Sequence, residues 1–301
     1  MTLESLLGND FVAVNLGAGG DADHLLPPSL LKCLTVMEID QADASKTQSL
    51  YHRKVSLQRA VAGSAGKRRF RHNAFVGCSS LLPPDEEKIR FFGLEELFAK
   101  VSEHEVETAT LPELLAAEGI GHIDFLKTDI EGVDFEVIQS CEKLLPGISA
   151  LQCELRFDPF YHGEPPLHEV VAYLAVRGFK LIGIQSQHWK PAGPRRRTYS
   201  DGVAAWADCQ FVNTRPTGGD PARALVKQVV ALTLIGRRAL ADALVERDKA
   251  KLPPALVAEL IALLQTRPPP RAQPSALRQT LRRWRQNLSG QESQWDFVVK
   301  D

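Results

Sequence analysis

The chain has 301 residues, room for one large domain with an appendage or for two small domains. Its 44% hydrophobic and 24% charged residues are the balance of an ordinary globular protein and exclude a disordered or fibrous one. The net charge of −1 conceals a split. Residues 1–220 carry 22 Lys and Arg against 30 Asp and Glu (net −8), and residues 221–301 carry 14 against 7 (net +7). An acidic body argues against nucleic-acid binding, which needs a basic groove. The basic tail is expected to pack on that body or to meet an anionic partner.

The five cysteines, Cys33, Cys78, Cys141, Cys153 and Cys209, form no C-x-x-C pair. They read as free thiols in a reduced, cytoplasmic setting. The first residues lack a basic signal-peptide region, and no apolar run is long enough for a transmembrane segment.

In chain order, Phe11–Leu16 reads as a strand, and Gly17-Ala18-Gly19-Gly20 follows it directly. Glycines there let the backbone turn tightly and approach a ligand, although a plain strand–turn also produces such loops. Leu34–Asp40 is the second strand, and its Glu38 lies about twenty residues after the glycines, where a carboxylate can hold a ribose. Pro27-Pro28 between them predicts a short or split first helix. Val55–Val61 reads as a third strand running into a turn at Ala62-Gly63, with Val61 and Ala62 placed to flank an adenine or simply to end a core strand. Phe70–Gly77 is expected as an extra strand, residues 85–106 as a charged helical insertion or lid, and Leu111–Glu118 as a helix capped by Thr110.

The most informative stretch follows. Ile123–Thr128 reads as a buried strand, and helical spacing resumes at Phe135 and Ile138. Asp129, Glu131 and Gly132 occupy the turn between, at the sheet edge where open α/β folds bind ligands. Asp129 as a plain helix N-cap is the competing explanation. A helix through about Leu145, a strand at Ala150–Leu155 bearing Glu154, and a loop with His162 come next. A helix at 167–177 and strands at Phe179–Ile184 and Ala204–Val212 complete an α/β, doubly wound, mostly parallel sheet with an antiparallel edge strand. The expected division is a Rossmann-like domain over 1–215 and a helical C-terminal extension over 221–301. The extension has helices to about 251 and over 255–266 and a basic amphipathic one around Leu277–Leu288, and this helical tail offers an apolar surface for homodimerisation.

Val106–Leu115, then Ile123-Asp-Phe-Leu-Lys-Thr-Asp-Ile-Glu-Gly132 with Phe135-Glu-Val-Ile138, together with Ser79–Leu82 and Ala207–Val212, resemble the FkbM family of S-adenosylmethionine-dependent methyltransferases over about residues 11–213. The family's Glu-Pro at the end of the second strand is Glu38-Ile39 here. The resemblance implies a class I methyltransferase fold, S-adenosyl-L-methionine as cofactor, and methylation of a hydroxyl on a sugar, glycan or polyketide-like small molecule. It places Gly17, Ala18 and Gly19 at the methionine moiety, Glu38 at the ribose, Val61 and Ala62 at the adenine, and Asp129 and Glu131 on the acceptor side of the methyl group.

For the chemistry, Asp129 is the first choice as the base that orients and deprotonates the acceptor, with Glu131 and His162 in reserve. Nothing in the spacing fixes a metal-ligand set, although Asp129, Glu131 and Glu154 are all hard-cation ligand types, and no metal is assigned. Two rivals stay open: an NAD(P)-dependent oxidoreductase, which would explain the glycines and Glu38 but not the Thr-Asp-Ile-Glu-Gly turn, and a non-catalytic interaction module recruited through the basic tail.

Overall fold

The computed structural model describes residues 2–17, 25–40, 50–189, 191, 202–217 and 219–266. Strands β1 (Phe11–Leu16), β2 (Leu34–Asp40), β3 (Arg53–Gln58), β7 (Phe125–Thr128), β8 (Ala150–Arg156), β9 (Phe179–Trp189) and β10 (Val203–Asn213) form one sheet in the order β3-β2-β1-β7-β8-β10-β9. The first five are parallel, and β10 runs antiparallel to both β8 and β9. The antiparallel strand thus lies one place in from the edge. The order reverses at β1, so the β1–β7 crevice is the topological switch point where such sheets bind ligands.

Side chains alternate between the two faces of a strand, and the two faces have different covers. On one face Val14, Leu16, Met37, Leu126 and Leu151 pack with α4 (Leu111–Ala117), α5 (Asp134–Ser140) and α6 (Leu167–Ala175). On the other, Phe11, Ala13, Val36, Phe125 and Ala150 pack with α1 (Leu3–Leu7), α2 (Pro28–Leu31), α7 (Pro221–Leu234), α8 (Arg238–Asp248) and α9 (Pro254–Gln265). The C-terminal helices therefore seal one face of the sheet. Leu3 N–H also donates to Glu259 on α9 at 2.7 Å, which joins the two ends of the described chain.

Several expected elements shift. The predicted third strand breaks at Arg59: β3 stays in the main sheet, while β4 (Ala60–Val61) pairs in a second sheet of order β4-β6-β5. That sheet contains β5 (Gly66–Asn73) and β6 (Lys100–Ala109), so the expected helical insertion is only half helix, α3 (Glu86–Phe92), and then strand. The alternation of Glu103, Glu105 and Glu107 opposite Arg71, Arg69 and Lys67 explains the second half, because opposite charges across a ladder favour pairing. The helix expected to reach Leu145 stops at Ser140, and the one expected to reach 251 is divided at Gly236, whose φ of 73° only glycine adopts easily. α2 has four residues, as Pro27-Pro28 requires. Thr110 caps α4 through a reciprocal capping box with Glu113. The basic helix expected at 277–288 lies outside the described residues.

At the amino edge of the sheet, buried Asp124 fixes the register of three elements. It accepts from Val12 N–H at 2.8 Å and stands 3.2 Å from His122 Nε2 and 3.0 Å from Lys227 Nζ on α7. The hydrogen bond to Asp124 raises the His122 pKa above its ordinary value, despite partial burial. A raised folded-state pKa contributes stability that is complete below the unfolded value of about 6.5 and is lost as pH rises through the folded one. The urea midpoint is therefore expected to fall between pH 6 and pH 8, and His122→Gln to flatten that dependence.

Candidate active site

The face covered by α7–α9 turns polar toward the carboxyl ends of its strands. Strand register sets Asn15 beside Glu38 and Lys127, Lys127 beside Gln152, Glu154 beside Asp208, and Arg156 beside Trp206. Alternation thus delivers a row of polar side chains to one face above the apolar floor.

Two backbone features close the crevice. Gly17 has φ 86°, and a Cβ there would sit 1.8 Å from the Asp129 carbonyl oxygen. Asp129 N–H in turn donates to Leu16 O at 3.0 Å. The β1 and β7 turns touch, and only glycine permits it. Glu131 and Gly132 then adopt consecutive left-handed conformations, φ 55° and 92°, and a Cβ on Gly132 would lie 2.8 Å from the Tyr161 ring. A left-handed glutamate carries strain of the kind found at functional turns. The helix-cap explanation for Asp129 fails: α5 begins after Val133, with no side-chain cap.

The strained turn delivers Glu131 into an ionic cluster built around buried Arg156. Arg156 Nη2 donates to Glu131 Oε2 in a very short contact and to Glu154 Oε1 at 3.0 Å, and its Nη1 donates to Glu164 Oε1 at 3.0 Å. Glu164 Oε2 also accepts from Phe160 N–H and Tyr161 N–H, which ties down the 160–164 loop. Tyr161 Oη donates to Cys78 O at 2.9 Å and stands 3.0 Å from Glu131 Oε2. Lys127 Nζ lies 3.3 Å from Asp129 Oδ2. Ligand oxygens of Asp129, Glu131 and Glu154 fall within 4.8 Å of one another. Burial pushes the Glu131 carboxyl up to about 8, with the Arg156 charge opposing and Asp129 reinforcing the rise. Burial likewise raises Glu154, and raises Asp134 to about 6. Burial works against the Arg156 charge, but Glu164, Glu131 and Glu154 outweigh it and keep the guanidinium protonated.

The methyltransferase FkbM domain matches residues 31–181, half of the chain, and so includes Glu38, Asp129 and the whole cluster. The chain belongs to the FkbM methyltransferase family. No curated protein matches it. Two solved structures are similar at 10% identity: a Streptococcus pneumoniae protein provisionally assigned as a tRNA (m1A22) methyltransferase, covering 87% of this chain and 93% of that one at a TM-score of 0.27, and an uncharacterised Listeria monocytogenes protein, 87% and 96% at 0.24.

In this FkbM methyltransferase the other sequence-derived site residues are placed as follows. Glu38 is half-buried and paired with Lys54 at 3.0 Å. Val61 and Ala62 are buried, Val61 within the core and Ala62 with its N–H on Ala109 O. His162 is exposed on the loop, its backbone N–H donating to Pro83 O at 2.9 Å, and no side-chain bond joins it to the carboxylates among the described residues. Ala18 and Gly19 lie outside the described residues. Asp129, Glu131 and Glu154 could meet a hard cation only in competition with Arg156, which already donates to two of them. Sequence reasoning missed Arg156 and Tyr161. The signal for Arg156 was available, since it stands two residues after Glu154 on the same face of β8. A cleft of about 430 Å³ borders Gly132 and is lined in part by Leu82, Phe135, Glu136, Pro166 and Glu169.

The contact at Gly17 predicts the outcome of filling it. Gly17→Ala forces apart two backbones in a conformation that L-residues avoid, and is expected to cost on the order of 2–3 kcal/mol. A chemical-denaturation midpoint, measured beside S-adenosylhomocysteine affinity, checks both the strain and the damage to the crevice.

Proposed function

We propose that this FkbM methyltransferase uses S-adenosyl-L-methionine to methylate a hydroxyl of a sugar, glycan or polyketide-like small molecule. The observation that carries this reading is the crossing of the Gly17 turn over Asp129, which brings a glycine bend and a carboxylate corner together at the switch point. The residues suit the cofactor. Gly17 lets the β1 turn lie directly against Asp129, the carboxylate corner complements a sulfonium charge, and among the described residues Asn15 Oδ1 is buried without a hydrogen-bond partner in the row that holds Glu38.

When bound, the cofactor supplies an electrophilic methyl group. The chain's own residues do the rest. Glu38 holds the ribose hydroxyls, exchanging its Lys54 partner or sharing it. Asp129 orients the acceptor hydroxyl and takes its proton as the new bond forms, so positioning contributes more than basicity. Arg156 fixes the turn that carries Glu131 by holding it against β8 and the 160–164 loop. The acidic lining of the cleft beside Gly132 would repel phosphate, which favours an uncharged or cationic acceptor over a nucleic acid.

Isothermal titration with S-adenosylhomocysteine and with NAD tests the reading: binding of the first and not of the second is expected, and the reverse would sink it. Glu38→Ala is expected to weaken S-adenosylhomocysteine binding about tenfold, roughly the loss of one charge-assisted hydrogen bond. Turnover at saturating cofactor should be nearly preserved.

A further inference from the structure

Among the described residues, the cluster around buried Arg156 holds more negative charge than its cations balance. Counted at full charge among the described residues, Asp129, Glu131, Glu154 and Glu164 face only Arg156 and Lys127. Asp134 on α5, 3% exposed, adds a further carboxyl beside them. Carboxylates crowded this closely relieve their repulsion by keeping a proton or by taking up a cation.

Hydrogen-bond geometry indicates where a proton would sit. Tyr161 is 2% exposed, and its hydroxyl has one hydrogen, yet it lies 2.9 Å from Cys78 O and 3.0 Å from Glu131 Oε2. A backbone carbonyl can only accept. If Glu131 were also only an acceptor, one of these two close contacts would have no hydrogen in it. With a proton on Glu131, Glu131 donates to Tyr161 Oη and Tyr161 donates to Cys78 O, and both contacts are satisfied.

We infer that the resting protein keeps a proton on Glu131, shared with Tyr161, and that the cationic cofactor expels it on binding whereas the neutral product S-adenosylhomocysteine does not. This rests on the cofactor reading above. The sulfonium brings the positive charge that the cluster lacks, so the proton becomes redundant. After methyl transfer that charge is gone, Glu131 regains a proton, and the product is left without the attraction that held its precursor. The same pair of groups then distinguishes loaded from spent cofactor by charge rather than by shape.

The test is calorimetry of the full chain with each ligand at neutral pH, in two buffers of different ionisation enthalpy. Release of about one proton per S-adenosylmethionine and none per S-adenosylhomocysteine is expected. Glu131→Gln, which has no carboxyl proton to lose, should abolish the release while still binding the product. An infrared band of a protonated carboxyl should be present in the wild-type protein without ligand and absent from Glu131→Gln. Binding of both ligands without proton release would overturn the inference and leave the cofactor reading standing; binding of neither would overturn both. Release that persists in Glu131→Gln and vanishes in Glu154→Gln would overturn the seat assigned to the proton.

Discussion

Asp129→Asn is expected to lower kcat by about 10²–10⁴-fold, the range supplied by a positioned general base. Cofactor affinity should change by no more than a few-fold. The amide keeps the shape of the side chain and can still face Lys127, now 3.3 Å from the carboxylate, but it cannot take the acceptor's proton. The pair of readouts matters because Asp129 also bears the carbonyl that touches Gly17. That contact is made by the backbone and survives the substitution, so a collapse of S-adenosylhomocysteine binding in Asp129→Asn would show that the side chain holds the cofactor instead of acting on the acceptor. A stopped assay with intact binding is the expected result.

Arg156→Met is expected to cost about 3–5 kcal/mol of folding stability, because removing one side of a buried ionic cluster leaves the other side uncompensated. Methionine replaces much of the volume beneath Phe160 and Tyr161, whose rings the guanidinium faces at 5.7 and 5.3 Å. The loss is therefore chiefly electrostatic. The Glu154 and Glu164 carboxylates would be stranded beside a protonated Glu131, so the deficit should shrink as pH falls and they protonate. Urea unfolding of both proteins at acid and at neutral pH checks this. A constant difference across that range would mean that packing, not charge, is what Arg156 contributes.

Much of the molecule was legible in the residue pattern because periodicity and punctuation agreed. Phe11–Leu16, Leu34–Asp40 and Ala150–Arg156 are apolar runs ending in glycine or charge, and each became a parallel strand of the main sheet. The second sheet was hidden for a physical reason. β6 is exposed over most of its length, so it shows no apolar alternation, and its partner β5 is distinguished mainly by charge. Pairing information of that kind lies between segments rather than within one. At the site, Asp129 and Glu131 could be read from their place in a strand–turn–helix. Their surroundings could not. Arg156 and Tyr161 come from β8 and the loop beyond it, and only the fold brings them to Glu131. The left-handed backbone of Glu131 was likewise invisible, since glutamate gives no hint of it in advance.

The clasp between Leu3 and Glu259 has a bearing on how the molecule is made. During translation, the side of β1 and β2 that carries Phe11 and Val36 emerges early, but its cover on α7–α9 is synthesised some two hundred residues later. Through that interval the nascent polypeptide exposes an oily plate, the condition that invites self-association and chaperone capture. Closure must wait for contacts of long sequence separation, which are slow to form. Early termination, even well past the last strand, would yield a sticky fragment and not a smaller working enzyme.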